Sequence, residues 1–391
     1  MKTDLIIRGP SIHGEAETWK GSELHIALGK IQAISAQTAL AGSAEVIDFP
    51  TSYHLIPGMI DMHIHGADHA DVMDASQAAL TTISQALLKE GTTSFLATTM
   101  TETSDKLLKV MAEVNEFIQH GSKTGAEIIG LHLEGPFISP AKIGAQRGDA
   151  LLNPNIEVFE SWQKAAGNHI KLVTLAPELE GAKVFIEHLV KRGVIASIGH
   201  SNANFAEANS GISAGITHAT HLYNAMSGLH HSDPGAALAI LVDQRVVAEL
   251  IVDGVHVHPE MIRFTLKVKG AQHVVLVTDA MRAKCCGEGE FDLGGQAVIV
   301  KNNEARLKQN GKLAGSVLKM NQALKNMLHF SHCSMQDIVA MVSGNPARAL
   351  GLFDSKGSIA VGKLADLVVL DEHYQVVATL RSGKLVYSIS H

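Results

Sequence analysis

Eight short strand-like runs, most of them rich in Val, Ile and Leu, recur through the middle of the chain, at 59–64, 94–98, 128–133, 172–175, 194–198, 216–221, 246–252 and 274–278. Between several of them the apolar positions switch to helical spacing, as at 75–90, 104–120, 181–191 and 258–267. Runs that are apolar throughout fit strands buried on both faces, and their alternation with helices predicts a parallel sheet. Eight such units are what a closed (β/α)8 barrel requires. An open doubly wound sheet is the rival, but no GxGxxG follows the first run and no turn reads as a phosphate loop.

The two ends read differently. Residues 5–8, 23–28, 30–35 and 45–48 form a meander of short strand patterns, and 367–370, 375–380 and 384–389 form another, with turns such as Leu28-Gly29-Lys30 and Ser382-Gly383. Such strands suit a small sheet rather than a barrel. The division this predicts is an α/β chain: a small β domain from 1–56 and 355–391, and a barrel from 57–354.

Composition supports a folded enzyme-sized protein and removes several alternatives. Of 391 residues, 46% are hydrophobic and 18% charged, which is ample core material and no case for disorder. A net charge of -7 and 4% aromatics argue against a nucleic-acid surface. The start MKTDLIIRGP lacks the apolar stretch of a signal peptide, and no run approaches the about 20 residues of a membrane span. Three cysteines, Cys285, Cys286 and Cys333, make neither a disulfide framework nor a CxxC zinc pair. A reducing cytoplasmic setting is expected, with no membrane and no nucleic-acid partner.

The chemistry lies where the apolar runs end. The first run closes in IPGMIDMHIHG, where side-chain alternation along a strand puts His63 and His65 on one face. The third ends in Glu134 of HLEGP, the fifth in His200 of GHSNA and the sixth in His221 of THLYNA. After the seventh comes His256 of DGVHVHP, and the eighth ends in Asp279 of VTDAM. In a barrel all these positions converge on the carboxyl-terminal face, where active sites are built. Imidazole with carboxylate suits zinc, iron or a similar divalent ion, and five candidate ligands besides Asp279 exceed what one catalytic zinc needs, so two adjacent sites are open. Asp279 is the candidate to take a proton from an attacking water and return it to a leaving amine. His256 is the candidate to hydrogen-bond a carbonyl oxygen. His54, His132, His218 and His258 are assigned structural roles.

The set PGMIDMHIHG, LHLEGPF, GHSNA, THLYNAM, DGVHVHP and VTDAM, with NPARALG and GKLADLVVLD near the end, resembles the N-acetylglucosamine-6-phosphate deacetylases of the amidohydrolase superfamily. The resemblance spans nearly the whole chain. It implies a distorted (β/α)8 barrel with a small β-sandwich formed by both termini, a homodimer, and metal-dependent removal of acetate from an amino-sugar phosphate. Carried over by motif, Glu134, His200 and His221 are the main metal ligands and His63 and His65 hold a second metal. Asp279 is the general base and acid beside them and joins the metal set. His256 steers the acetamide carbonyl, while Ala145, Asn224, Ala225, His231, Leu313, Ala314 and Gly315 contact the sugar phosphate. One or two divalent ions per chain are implied, zinc first and iron as the alternative.

Two positions depart from the pattern. Where relatives commonly read His-His-Arg-Glu-Pro-Gly, this chain has His230-His231-Ser232-Asp233-Pro234-Gly235, so Ser232 replaces an arginine that reaches the phosphate across the dimer. Gln146 stands where some relatives carry histidine. Losing a bidentate arginine beside a new carboxylate weakens a dianion site, with His230, His231, Lys142 or Arg147 as possible replacements. The alternatives are therefore the galactosamine epimer, an unphosphorylated N-acetyl sugar, and a non-catalytic sugar-phosphate binder. A cyclic amidase or dipeptidase of the superfamily would place a carboxylated lysine on the fourth strand, where LVTLAPE supplies none.

Overall fold

The computed structural model describes residues 5–36, 44–121 and 124–389. Parts of the terminal segments read above, 1–4, 37–43 and 390–391, lie outside the described residues.

Eight parallel strands form the centre: β1 (Met59–Ile64), β2 (Thr92–Thr99), β3 (Glu127–Glu134), β4 (Ile170–Leu175), β5 (Ile195–Ile198), β6 (His218–Ala219), β7 (Val247–Ile251) and β8 (Val274–Val277). Each is followed by a helix: α1 (Gln77–Leu88), α2 (Ser104–His120), α3 (Ile156–Ala165), α4 (Ala182–Lys191), α5 (Phe205–Ala214), α6 (Ala236–Val242), α7 (Pro259–Lys269) and α8 (Met320–Ser331). Every position of β1 and β2 is buried, as strands covered on both faces must be. The seam between β8 and β1 closes at its carboxyl end, where Asp279 N–H donates to His63 O at 2.8 Å and His65 N–H to Ala280 O at 2.9 Å. Below them Asp61 ties the same two strands together, accepting from the Thr278 hydroxyl at 2.5 Å and the His63 N–H at 3.2 Å. The barrel predicted from the run of eight strands is the one observed.

The sixth strand is shorter than its apolar run. A strand over 216–221 is expected, yet β6 pairs only at His218–Ala219. His221 has φ 31°, which no strand accommodates, so the backbone must leave the sheet before it.

The chain ends build two further sheets. One has the order Lys30–Ala36, Ser22–Ala27, Leu5–Arg8, Glu45–Asp48; the other runs Lys384–Ser388, Val376–Arg381, Leu367–Leu370, His54–Pro57, Ser11–His13, Thr18–Trp19. The second sheet is a shared wall. Alternation along Leu367–Leu370 sends Leu367 and Val369 into a core with Leu5, Ile7, Leu24 and Ile26 of the other sheet. Val368 and Leu370 of the same strand join the barrel core. Burying each such side chain contributes about 1.5–3 kcal/mol. A third sheet, Gly289–Leu293, Gln296–Lys301 and Glu304–Leu307, is inserted between β8 and α8. Sequence reading missed it, although its two hairpin turns are marked by Gly294-Gly295 (φ 58° and 81°) and Asn302-Asn303 (φ 52° and 61°), the pairs that primed turns demand.

Candidate active site

At the carboxyl ends of the strands a cavity of about 360 Å³ opens, with His65, Glu134, His200, His221, His256 and Asp279 in its wall. His200, His221 and Asp279 share an uncommon feature: each is a non-glycine residue at positive φ, 46°, 31° and 47°. Such conformations cost about 1–3 kcal/mol each and persist only where the surroundings enforce them. Here each lies just past a strand end, and the left-handed turn aims the side chain over the mouth instead of along the strand. Gly144 (φ 62°) passes so close that a Cβ would lie 3.1 Å from His200 Cε1, so glycine lets the covering loop lie over that ring without pushing it aside.

The donors fall into two groups of three, His63, His65 and Asp279, and Glu134, His200 and His221, all buried. Glu134 joins them. Its Oε1 stands 3.2 Å from His200 Nε2, 3.1 Å from His221 Nε2 and 3.4 Å from His63 Nε2, and its Oε2 is 3.2 Å from His65 Nε2. Asp279 Oδ1 lies 3.4 Å from His63 Nε2 and 3.1 Å from His65 Nε2. The His200 and His221 Nε2 atoms face each other at 3.1 Å.

Electrostatics shows what this arrangement needs. Burial alone would raise Glu134, yet the surrounding His63, His200 and His221 outweigh it and hold its carboxyl well below the usual range. Burial alone would lower His65, yet Asp279 and Glu134 push it up to about 9. Burial also opposes charge on His63, and Glu134 and Asp279 reverse it, raising that ring well above its ordinary value. Positive charge answers the two buried carboxylates here, whether as protons on His63 and His65 or as a bound cation. His63 Nε2 is fully buried and makes no hydrogen bond among the described residues. An orphaned imidazole nitrogen aimed at two carboxylate oxygens fits a divalent cation of the zinc or iron type.

Supporting contacts orient these donors. His200 Nδ1 stands 2.9 Å from Lys142 O, and His65 Nδ1 3.3 Å from Thr98 O, so each ring presents Nε2 to the centre. The Gln146 amide donates to Glu134 Oε2 at 2.8 Å and accepts from Thr101 N–H at 2.7 Å. Three acids that sequence reasoning did not single out serve the same region: Asp61 at the seam, Glu249 beside His63 and Asp253 beside His256. Glu249 carried a signal, since it is the lone carboxylate inside the apolar run 246–252.

Of the sugar-contact candidates, Ala145, Asn224, Ala225, Leu313 and Gly315 line the cavity. Ala314 does not; it is 1% exposed, with its N–H bonded to Ala305 O. His231 does not either: its loop is exposed, closed on itself by Gly235 N–H to Gly228 O at 3.0 Å, and its ring packs on His230. Ser232 and Asp233 sit on the same exposed loop. Arg147 is engaged with Glu102 and Asp149, whereas Lys142 and Lys312 are the lysines in the cavity wall. His132 belongs to neither donor group; it lies 2.7 Å from the Thr174 hydroxyl, and burial first, then His63, hold it well below its usual value. His258 caps α7 through Glu260 N–H, and His54 pairs with His13 at 2.9 Å.

A parallel barrel with paired imidazole and carboxylate donors at its carboxyl mouth is the architecture of metal-dependent hydrolases. The amidohydrolase family profile matches residues 54–386, and the chain belongs to that family. It is 42% identical to the N-acetylglucosamine-6-phosphate deacetylase of Bacillus subtilis (strain 168), over 99% of this chain and 98% of that one. It is 34% identical to the N-acetylgalactosamine-6-phosphate deacetylase of Escherichia coli O157:H7, over 85% of this chain and 87% of that one. Among solved structures, a mutant of N-acetyl-D-glucosamine-6-phosphate deacetylase from Mycobacterium smegmatis, in complex with N-acetyl-D-glucosamine-6-phosphate, superposes with TM-score 0.92 at 30% identity, covering 99% of this chain and 100% of that one. No helix among the described residues is long and apolar enough to cross a membrane.

Proposed function

We propose that this chain hydrolyses the acetamide of N-acetylglucosamine 6-phosphate, releasing acetate and glucosamine 6-phosphate. The observation that carries the reading is Asp279 beside His63 and His65, facing the Glu134–His200–His221 group across one cavity. His63, His65 and Asp279, and Glu134, His200 and His221, would hold one or two divalent ions, which when bound would supply Lewis acidity toward the scissile carbonyl and toward water. Asp279 takes the proton of the attacking water on its carboxylate and delivers it to the departing amine. His256 donates from Nε2 to the carbonyl oxygen as it gains charge, a contribution of about 10²–10³ in rate for one such donor. Asn224, Ala225, Ala145, Leu313 and Gly315 hold the sugar, and Lys142 and Lys312 offer the cavity its positive charge toward a phosphate. Zinc or iron at one or two sites, a cytoplasmic homodimer, and a division into a 57–354 catalytic barrel and a 1–56 with 355–391 sandwich belong to the same reading. They rest on the donor set, the separate core of the terminal sheets and the resemblance of the motifs.

The test is acetate release from N-acetylglucosamine 6-phosphate, its galactosamine epimer and unphosphorylated N-acetylglucosamine, on metal-stripped protein and after zinc or iron is restored. Metal-dependent preference for the first is expected. Preference for the epimer or the unphosphorylated sugar would reassign the substrate, and no acetate from any would overturn the reading.

A further inference from the structure

Glu249 lies on β7 with no exposed surface, surrounded along the strand by Val247, Ala248, Leu250 and Ile251. A carboxylate there is costly unless its charge is answered. Its Oε2 lies 3.0 Å from His63 Nδ1 and accepts the backbone N–H of His221 at 3.2 Å. Its Oε1 has no hydrogen-bond partner among the described residues. One oxygen thus touches a side chain of one donor group and the backbone of the other.

Both contacts act on the cavity. With Nδ1 committed to Glu249, His63 keeps its proton on that nitrogen and presents Nε2, the atom 3.4 Å from both Glu134 Oε1 and Asp279 Oδ1. His221 owes its place over the mouth to a backbone at φ 31°, and the Glu249 bond to its N–H opposes relaxation toward the strand. Catalysis does not require Glu249 to meet substrate, and it does not line the cavity.

We infer that Glu249 is a positioning residue that sets the ring orientation of His63 and the strained backbone of His221, and so governs the cation affinity of both donor groups together. The inference rests on the metal-dependent reading of this cavity. A carboxylate behind a ligating imidazole raises its basicity and fixes its orientation, and losing one typically costs about 10–100-fold in metal affinity.

The test compares wild type with Glu249→Gln, which keeps an acceptor oxygen but no charge, and Glu249→Leu, which keeps neither. Zinc affinity is measured on full-length, metal-stripped protein by competition with a chromophoric chelator, alongside the thermal midpoint of each metal-free form. The expected result is a fall of about 10-fold for Gln and about 100-fold for Leu. The metal-free midpoint is expected to fall for Leu, which leaves the buried His63 Nδ1–H and His221 N–H without an acceptor, and to fall less for Gln, which keeps one, so affinity is compared only on folded protein. Unchanged zinc affinity in a folded variant overturns the inference, as does a lower metal-free midpoint with wild-type affinity, which is what a merely structural residue would give. Should Glu249→Leu not fold, the Gln variant decides. A wild type that takes up no zinc or iron defeats the parent reading instead, and is seen in the same titration before any variant is compared.

Discussion

His256 Nδ1 stands 2.6 Å from Asp253 Oδ2, and in the proposed mechanism that contact decides when His256 can donate to the substrate. With Nδ1 carrying the proton shared with Asp253, Nε2 is a lone pair in the neutral ring and an N–H only in the charged one. Burial alone would lower this histidine; the hydrogen bond and charge of Asp253 outweigh it and raise the ring above its ordinary value of 6.5. The charged form therefore persists above pH 6.5 and is lost as pH rises through the raised value. Asp253→Asn removes the raising contribution and leaves the burial. The basic limb of the kcat/KM profile is expected to move to lower pH. An unmoved limb would take His256 out of the donor role.

Asp279 is both a member of the His63–His65 group and a lining residue of the cavity, and in the proposed mechanism it is the base. Asp279→Asn keeps the shape and removes proton transfer, so turnover should fall by about 10²–10⁴. The Glu134–His200–His221 group is untouched, and metal analysis should still find bound ion. Near-wild-type turnover would return the base role to another residue.

Lys142 is half-buried and Lys312 exposed, both in the cavity wall. If they receive the phosphate in place of an arginine at Ser232, Lys142→Met and Lys312→Met should each raise KM for the phosphorylated sugar. About 10-fold is expected, equivalent to about 1.4 kcal/mol. KM for the unphosphorylated sugar should hold. Equal changes for both sugars would assign these lysines to the sugar ring or to the fold.

His13 gives a prediction independent of the active site. Burial, reinforced by His54 and Lys20, holds it down to about 4 from 6.5. The unfolded chain binds this proton first as pH falls, so stability is full above pH 6.5 and declines toward pH 4. His13→Asn should flatten the thermal midpoint against pH across that window, measured by far-UV circular dichroism. A profile as steep as wild type would place the acid sensitivity elsewhere.

Much of the site was legible because its residues end apolar runs. Strand period and the convergence of strand ends are local rules, so His63, His65, Glu134, His200, His221 and Asp279 could be assembled from sequence spacing alone. The hairpin pairs Gly294-Gly295 and Asn302-Asn303 are equally local, although a search for barrel units passes over them.

What the chain could not state locally is which groups answer each other's charge. Glu249 lies 186 residues from the ring that it orients, and Asp61 217 residues from the Thr278 that it binds across the barrel seam. No periodicity links such pairs, because burial and hydrogen-bond satisfaction are properties of the closed barrel. The same holds for His221, whose apolar run reads as strand until the end. Only the demand that its ring reach Glu134 forces the backbone to φ 31° and ends β6 at Ala219. Sequence determined the eight-stranded plan and which histidines and carboxylates gather at the barrel mouth, since these follow from side-chain type and spacing. Tertiary structure decided which nitrogen each histidine presents, which loop residues reach the cavity and which, like His231, stay outside it, because those depend on contacts between segments that only meet when the barrel closes.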